Sequence, residues 1–271
     1  MFFTTTDGTR LHYEEYGEGR PIVFVTSSML NTEMWEYQIP FFAERGYRCV
    51  TFDRRGHGRS DRPSGGYDLD TLADDLAALV DLLDLRDVTF VGHSLGGAEI
   101  VRYLARHGEE RARRAVLVSA MLPMLKRTDD NPGGVPAEGF DRLVELVRAD
   151  RPKWLAQQSQ LFFATQLGND VSPAMIDWTV RMCLSATGWA IIRTQRTAFE
   201  SDNRENLRRL TIPTLVVHGD ADFSAPVDVT GRRTAELIPG AVYKEYAAAG
   251  HGLFLSHKDR LNDDILAFVK G

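Results

Sequence analysis

Apolar positions in this chain follow two rhythms, one of period two or continuous and one of helical spacing, and they change places along the sequence. Asp7-Gly8 is a hairpin turn signal between the strand-like runs Phe2–Thr6 and Arg10–Tyr16. Gly17-Glu18-Gly19 then leads into the buried-type run Pro21–Val25. Met34–Glu44 predicts a helix and Tyr47–Phe52 another buried strand. From there strand and helix alternate. Leu69, Leu72, Leu76, Leu79, Val80 and Leu83 recur at helical spacing, Val88–Val91 reads as a strand, Ala98–His107 as a helix and Arg114–Ser119 as a strand. The alternation resumes late, with a strand at Ile212–Val217, a helix near Val229–Leu237, a strand at Ala241–Tyr246 and a helix at Lys258–Val269.

Between these halves only helical segments occur: Phe140–Ala149, Pro152–Phe163, Pro173–Ser185 and Trp189–Phe199, preceded by the loop Asp129-Asp130-Asn131-Pro132-Gly133-Gly134. Antiparallel strands first and strand–helix alternation afterwards predict an α/β fold. Its mostly parallel, eight-stranded sheet would carry helices on both faces. Residues 1–121 and 211–271 form the expected core, and 122–210 an inserted helical cap. A cap belongs over the carboxyl ends of the strands, where ligands bind in such sheets.

Composition narrows the class further. Across 271 residues, 43% hydrophobic and 26% charged content is an ordinary globular balance. The formal charge of −6 argues against nucleic acid as a partner, and no apolar run approaches the roughly 18 residues of a membrane span. Cys49 and Cys183 stand far apart, outside metal-type or C-x-x-C spacing, and read as buried reduced thiols. With no basic region and apolar core at Met1-Phe2-Phe3-Thr4, a signal peptide is not expected and a cytoplasmic location is. Self-association is left open.

The chemistry concentrates at Gly92-His93-Ser94-Leu95-Gly96, a G-x-S-x-G between a strand and a helix. That is the sequence form of a nucleophile elbow. The turn forces Ser94 into a strained backbone conformation and requires neighbours without side chains two residues away, which Gly92 and Gly96 supply. Gly97 lets the helix approach the sheet. The hydroxyl then projects at the top of the sheet with the Leu95 amide aimed at the same spot.

A serine hydroxyl needs a base, itself held by a carboxylate, and in an α/β frame these follow in the order acid, then histidine. His218-Gly219-Asp220-Ala221-Asp222 follows one late strand and Gly250-His251-Gly252 the next. Of seven histidines, His12, His107 and His257 read as surface or packing residues. His57 lies in a tight loop, His93 should point inward, and His218 should satisfy backbone groups. His251 alone sits in a Gly-flanked loop at the right place. Asp222 is preferred over Asp220 as the acid, because Asp220 is placed to brace the turn. A calcium loop at these aspartates fails for want of the following glycine and glutamate.

These motifs, with Asp53–Ser60, Asn131-Pro132-Gly133-Gly134, Pro226 and His251-Gly252-Leu253-Phe254 with His257, resemble the α/β-hydrolase superfamily almost end to end. Within it the chain is similar to the cofactor-free haloperoxidase (perhydrolase) and aryl-esterase group. The resemblance implies Ser94 as nucleophile, Asp222 as acid, His251 as base and no cofactor or metal. It also implies a second oxyanion amide just after the third strand, where relatives carry His-Gly and an aromatic residue. Here that place reads Thr26-Ser27-Ser28, so the Ser28 amide is the expected donor beside Leu95. Ser27 lacks glycine's conformational freedom, which predicts an altered loop path. Ser28 puts a small hydroxyl where a ring usually walls the pocket. Met29 stands where members with strong peracid chemistry carry proline, which argues against that activity.

The expected function is hydrolysis of small-molecule carboxylic esters or lactones through an acyl-enzyme on Ser94. Carbon–carbon hydrolysis of a β-diketone or perhydrolysis by the same triad is the alternative. Haloalkane and epoxide chemistry is disfavoured because related enzymes use aspartate at the elbow. A non-catalytic binding protein of this fold is the reading from another class, and a complete triad argues against it. Met29, Trp154, Phe162, Phe163 and Trp178 are expected to shape the pocket, with helix-on-helix packing the competing account of the aromatic residues.

Overall fold

The computed structural model describes all residues from 1 to 271. Eight strands form one sheet: β1 (Phe2–Thr4), β2 (Arg10–Tyr16), β3 (Arg20–Val25), β4 (Tyr47–Phe52), β5 (Val88–His93), β6 (Ala112–Val118), β7 (Thr214–Gly219) and β8 (Val242–Tyr246). Their spatial order is β1-β2-β4-β3-β5-β6-β7-β8. β1 pairs with β2, and β2 with β4, antiparallel; every later pairing is parallel. Because side chains alternate across a strand, each central strand feeds two cores. Val23, Val25, Phe90, Leu117 and Val216 join one cluster, whereas Ile22, Phe24, Val91, Val118 and Val217 join the other. Strands covered on both faces read as continuous apolar runs, which is why these were visible in the sequence.

The helices are α1 (Ile39–Ala43), α2 (Leu69–Leu82), α3 (Leu95–His107), α4 (Ala137–Phe163), α5 (Pro173–Ser185), α6 (Gly188–Glu200), α7 (Arg204–Arg208), α8 (Gly231–Leu237), α9 (Leu253–Ser256) and α10 (Lys258–Lys270). α2 and α3 cover the first core, and α10 covers the second through Leu261, Ile265 and Val269. From α4 to α7 the chain adds no strand to the sheet.

Two of these expectations need correction. The helix foreseen over Met34–Glu44 is two pieces, a 3-10 turn at Thr32–Trp35 and the short α1, in which Pro40 occupies the first turn. Pro40 has no N–H and belongs at a helix start, so it begins a new helix instead of continuing one. By contrast, the two helices foreseen over Phe140–Ala149 and Pro152–Phe163 are both present within α4, divided at Asp150, whose φ of −161° and ψ of 85° are non-helical. The Asp150 side chain accepts the Lys153 amide at 3.0 Å to start the second helix, with Pro152 in its first turn. The strand foreseen at Ile212–Val217 is shifted to Thr214–Gly219, because pairing in register with β6 starts at Thr214, opposite Ala115, and β8 carries it on to Gly219, opposite Tyr246.

Candidate active site

Ser94 stands between the last residue of β5 and the first of α3, with φ 58° and ψ −121°. Such a backbone is strained for a residue with a side chain, and packing must hold it. A Cβ on Gly92 would lie 2.5 Å from Ile100 Cδ1, and one on Gly96 would lie 2.5 Å from Val25 O. The glycines therefore let α3 begin directly at Ser94, three residues earlier than the periodicity indicated. Ser94 Oγ is buried and has no hydrogen-bond partner. The Ser94–His251 bond is thus open in this structure, as such bonds commonly are before substrate docks.

His251 Nδ1 donates to Asp222 Oδ2 at 2.7 Å, and both side chains are buried. Asp222 Oδ1 accepts the Ala225 amide at 2.8 Å, and His218 Nε2 lies 3.3 Å from Oδ2. Burial pushes the Asp222 carboxyl up, but the facing His251 and His218 outweigh it and hold it well below the ordinary carboxylate range. Asp220 instead accepts the Ala248 amide at 2.7 Å and braces the turn. His218 Nε2 bonds Ala225 O at 2.8 Å.

His93 points inward, and its Nε2 donates to the His251 carbonyl at 2.8 Å while its ring packs 4.7 Å from the His251 ring. Burial, then the nearby His251, keep its imidazole neutral, well below the usual histidine range. The inserted helices hold the same loop from the other side. Gly252 N donates to Phe162 O at 2.7 Å, and a Cβ on Gly250 would fall 2.6 Å from that oxygen. The glycines flanking His251 are therefore required by the end of α4 as much as by the loop itself.

Beside Ser94, the backbone amides of Ser28 and Leu95 have no protein acceptor. The loop carrying Ser28 is held from β4's following turn. Arg54 Nη1 donates to Ser27 O at 2.9 Å and Nη2 to Thr26 O at 2.7 Å, while its Nε pairs with Glu99 of α3. Arg54 and Glu99 are almost fully buried. Met29 N donates to His57 Nε2 at 3.2 Å, and His57 Nδ1 bonds Arg55 O at 2.8 Å. Burial, then the Arg54 charge, lower His57 to about 3, so it serves as a neutral acceptor. The left-handed residue of this loop is Met29, with φ 73°, and not Ser27. An N–H at position 29, which a proline would lack, is what ties this loop down. Sequence reasoning missed Arg54 and His57 as supports of the loop; an arginine and a histidine directly after a buried strand were the available signal.

Ser28, Met29, Ser94 and His251 line one cavity of about 500 Å³ with Trp154, Phe162 and Phe163. Trp178 does not. Ile176, Thr179, Val180 and Cys183 of α5 line the cavity at i, i+3, i+4 and i+7, and Trp178 falls off that face to pack on the core. Gln195 of α6, unforeseen in the sequence, also lines it, and its Nε2 donates to Ser28 Oγ at 2.7 Å. His12, His57, His107 and His257 lie outside. No group of three or more His, Cys, Asp or Glu side chains is arranged to hold a metal ion.

A strained serine, an imidazole bonded to a carboxylate and two uncommitted amides around one cavity are the parts acyl transfer requires. A family model described as alpha/beta hydrolase fold matches residues 20–258. The chain belongs to the α/β-hydrolase family. Among its relatives, a non-heme chloroperoxidase of Kitasatospora aureofaciens is 42% identical over 98% of each chain. A bifunctional esterase/perhydrolase of Acinetobacter calcoaceticus is 32% identical over 99% of each. Of solved structures, an esterase from Exiguobacterium antarcticum superposes on this hydrolase with a TM-score of 0.95 at 31% identity, covering 100% of this chain and 99% of that one. This α/β-hydrolase is thus an enzyme of the haloperoxidase-like branch, and no helix in it is long and apolar enough to cross a membrane.

Proposed function

We propose that this α/β-hydrolase is a cofactor-independent serine hydrolase of small carboxylic esters, with lactones as cyclic members of the same class. The observation that carries this reading is the 2.7 Å His251–Asp222 bond beside a strained Ser94 at a largely apolar cavity. Ser94 Oγ attacks the ester carbonyl and His251 Nε2 takes its proton. Asp222 stabilises the imidazolium, and the Ser28 and Leu95 amides meet the oxyanion. Collapse expels the alcohol, protonated by His251. Water then gives its proton to His251, attacks the acyl carbon and releases the acid and free Ser94. Residues 122–210 act as a cap whose α4 and α5 faces form the acyl or alcohol site. The names of the relatives favour perhydrolysis as a second reading, in which hydrogen peroxide replaces water at the acyl-enzyme and a peracid leaves.

A fluorophosphonate probe tests the first reading at its root. It should label Ser94, found by mass spectrometry of the peptide, and abolish aryl-ester turnover. An unlabelled Ser94 in folded protein would leave a binding role for the fold. Adding peroxide to an ester assay and titrating peracid separates the second reading from the first.

A further inference from the structure

Ser28 and Gln195 form the polar contact nearest the proposed oxyanion site, in a cavity where 14 of the 25 lining residues are hydrophobic. They come from distant elements, the loop after β3 and helix α6, and both are buried, at 5% and 9% exposure. Gln195 Nε2 donates to Ser28 Oγ, and the Ser28 hydroxyl hydrogen has no acceptor in the protein. Gln195 Oε1 takes no bond from the protein either and is not a sealed atom. The pair therefore leaves the Ser28 O–H and the second Nε2 hydrogen as donors and Gln195 Oε1 as an acceptor. Rotating the amide end for end lets the Ser28 O–H donate to Oε1 and still leaves donors, on the amide nitrogen, and an acceptor, on Ser28 Oγ.

Covalent geometry fixes where this pair acts. An amide nitrogen lies within about 4 Å of the hydroxyl oxygen of its own serine in any staggered rotamer. A carbonyl oxygen seated on the Ser28 amide therefore has the Ser28 hydroxyl beside the first carbons of its acyl group. A buried donor–acceptor pair left without a partner costs free energy, so it discriminates against acyl groups that are apolar there.

We propose that Ser28 and Gln195 make a specificity site for acyl groups bearing a hydroxyl or amide one or two carbons from the ester carbonyl. The proposal rests on the serine-hydrolase reading and names its substrate class. A hydroxyl at that position donates to Gln195 Oε1 and accepts from Ser28 Oγ. An alkyl group of the same size satisfies neither.

The test compares 4-nitrophenyl 3-hydroxybutyrate with 4-nitrophenyl 3-methylbutyrate, in which a methyl replaces the hydroxyl at nearly constant shape. Each kcat/KM is divided by the rate constant of alkaline hydrolysis, which removes intrinsic reactivity. The hydroxy ester should be preferred by about tenfold, the worth of one or two neutral hydrogen bonds. Gln195→Leu should bring the ratio to about one. Ser28→Ala, which keeps the backbone amide, should lower it in the same direction and guards against a misfolded Gln195 variant. A ratio near one in the parent protein, or a preference surviving both substitutions, overturns the specificity site while leaving the hydrolase reading intact. Absence of turnover on both esters together with an unlabelled Ser94 overturns both.

Discussion

The elbow and the loop proposed to carry the second oxyanion donor each present a backbone amide without a protein acceptor, yet they are built in opposite ways. At the elbow the conformation is written locally: Gly92 and Gly96 have no side chains because carbonyls and Ile100 occupy the space, and the strained Ser94 follows from that turn. In the loop no glycine stands between Thr26 and Leu30. Its path is held instead by side chains from elsewhere, Arg54 on two carbonyls, His57 on the Met29 amide and Gln195 on the Ser28 hydroxyl. The same functional group, a free N–H, can therefore be positioned by composition at one point and by long-range side-chain bonds at another. The first is robust to changes at a distance, and the second is not.

Ser94→Ala breaks the local side outright. Ester turnover should fall on the order of 10⁶, as happens when a triad acting as a unit loses its nucleophile. Activity within tenfold of the parent, measured on an aryl ester, would remove the elbow from the mechanism. Asp222→Asn comes next, with an expected loss of roughly 10⁴ in kcat because the imidazole tautomer is upset. Asp220→Asn should cost far less, since its carboxylate holds only the Ala248 amide. The reverse order would exchange the two roles.

The long-range side is tested by Arg54→Met. Glu99 then stays buried without its cation, which should cost about 3–5 kcal/mol in urea unfolding. The Ser28 amide should also lose its aim, a loss of about 10²–10³ in kcat for every ester. Arg54→Met with Glu99→Leu removes the whole buried pair and should recover the part of the stability that the unpaired Glu99 cost. It should not recover kcat, because the Thr26 and Ser27 carbonyls remain without their donor. Recovery of both would mean that the loop holds its own path.

His57→Phe should have the smallest effect, a fall in kcat of about three- to tenfold, equal to one neutral hydrogen bond on the Met29 amide. It also carries a pH signature. In the fold His57 resists protonation down to about pH 3, whereas an unfolded histidine takes up its proton near 6.5. The stability it contributes is complete above 6.5 and is lost as pH falls from there toward 3. Urea midpoints measured across that window should therefore slope less in the variant. His93, His12 and His257, which burial also holds below the usual histidine range, keep a remaining slope. An unchanged slope and unchanged kcat would detach His57 from the loop.

Sequence alone determined the sheet, the strained turn at Ser94 and the places of Asp222 and His251 in the loops after the last two strands. These rest on local periodicity and on glycines whose necessity is visible within five residues. That Asp222 reaches His251 while Asp220 braces the turn was legible too, because one aspartate adjoins the strand end and the other stands two residues out. Tertiary structure decided what depends on residues far apart in the chain. It made Arg54, His57 and Gln195 the supports and wall of the oxyanion loop, over separations of 27, 28 and 167 residues. It also turned Trp178 away from the cavity while keeping Trp154, Phe162 and Phe163 in it. Helical periodicity says which residues share a face, but only packing against the sheet decides which face meets the cavity.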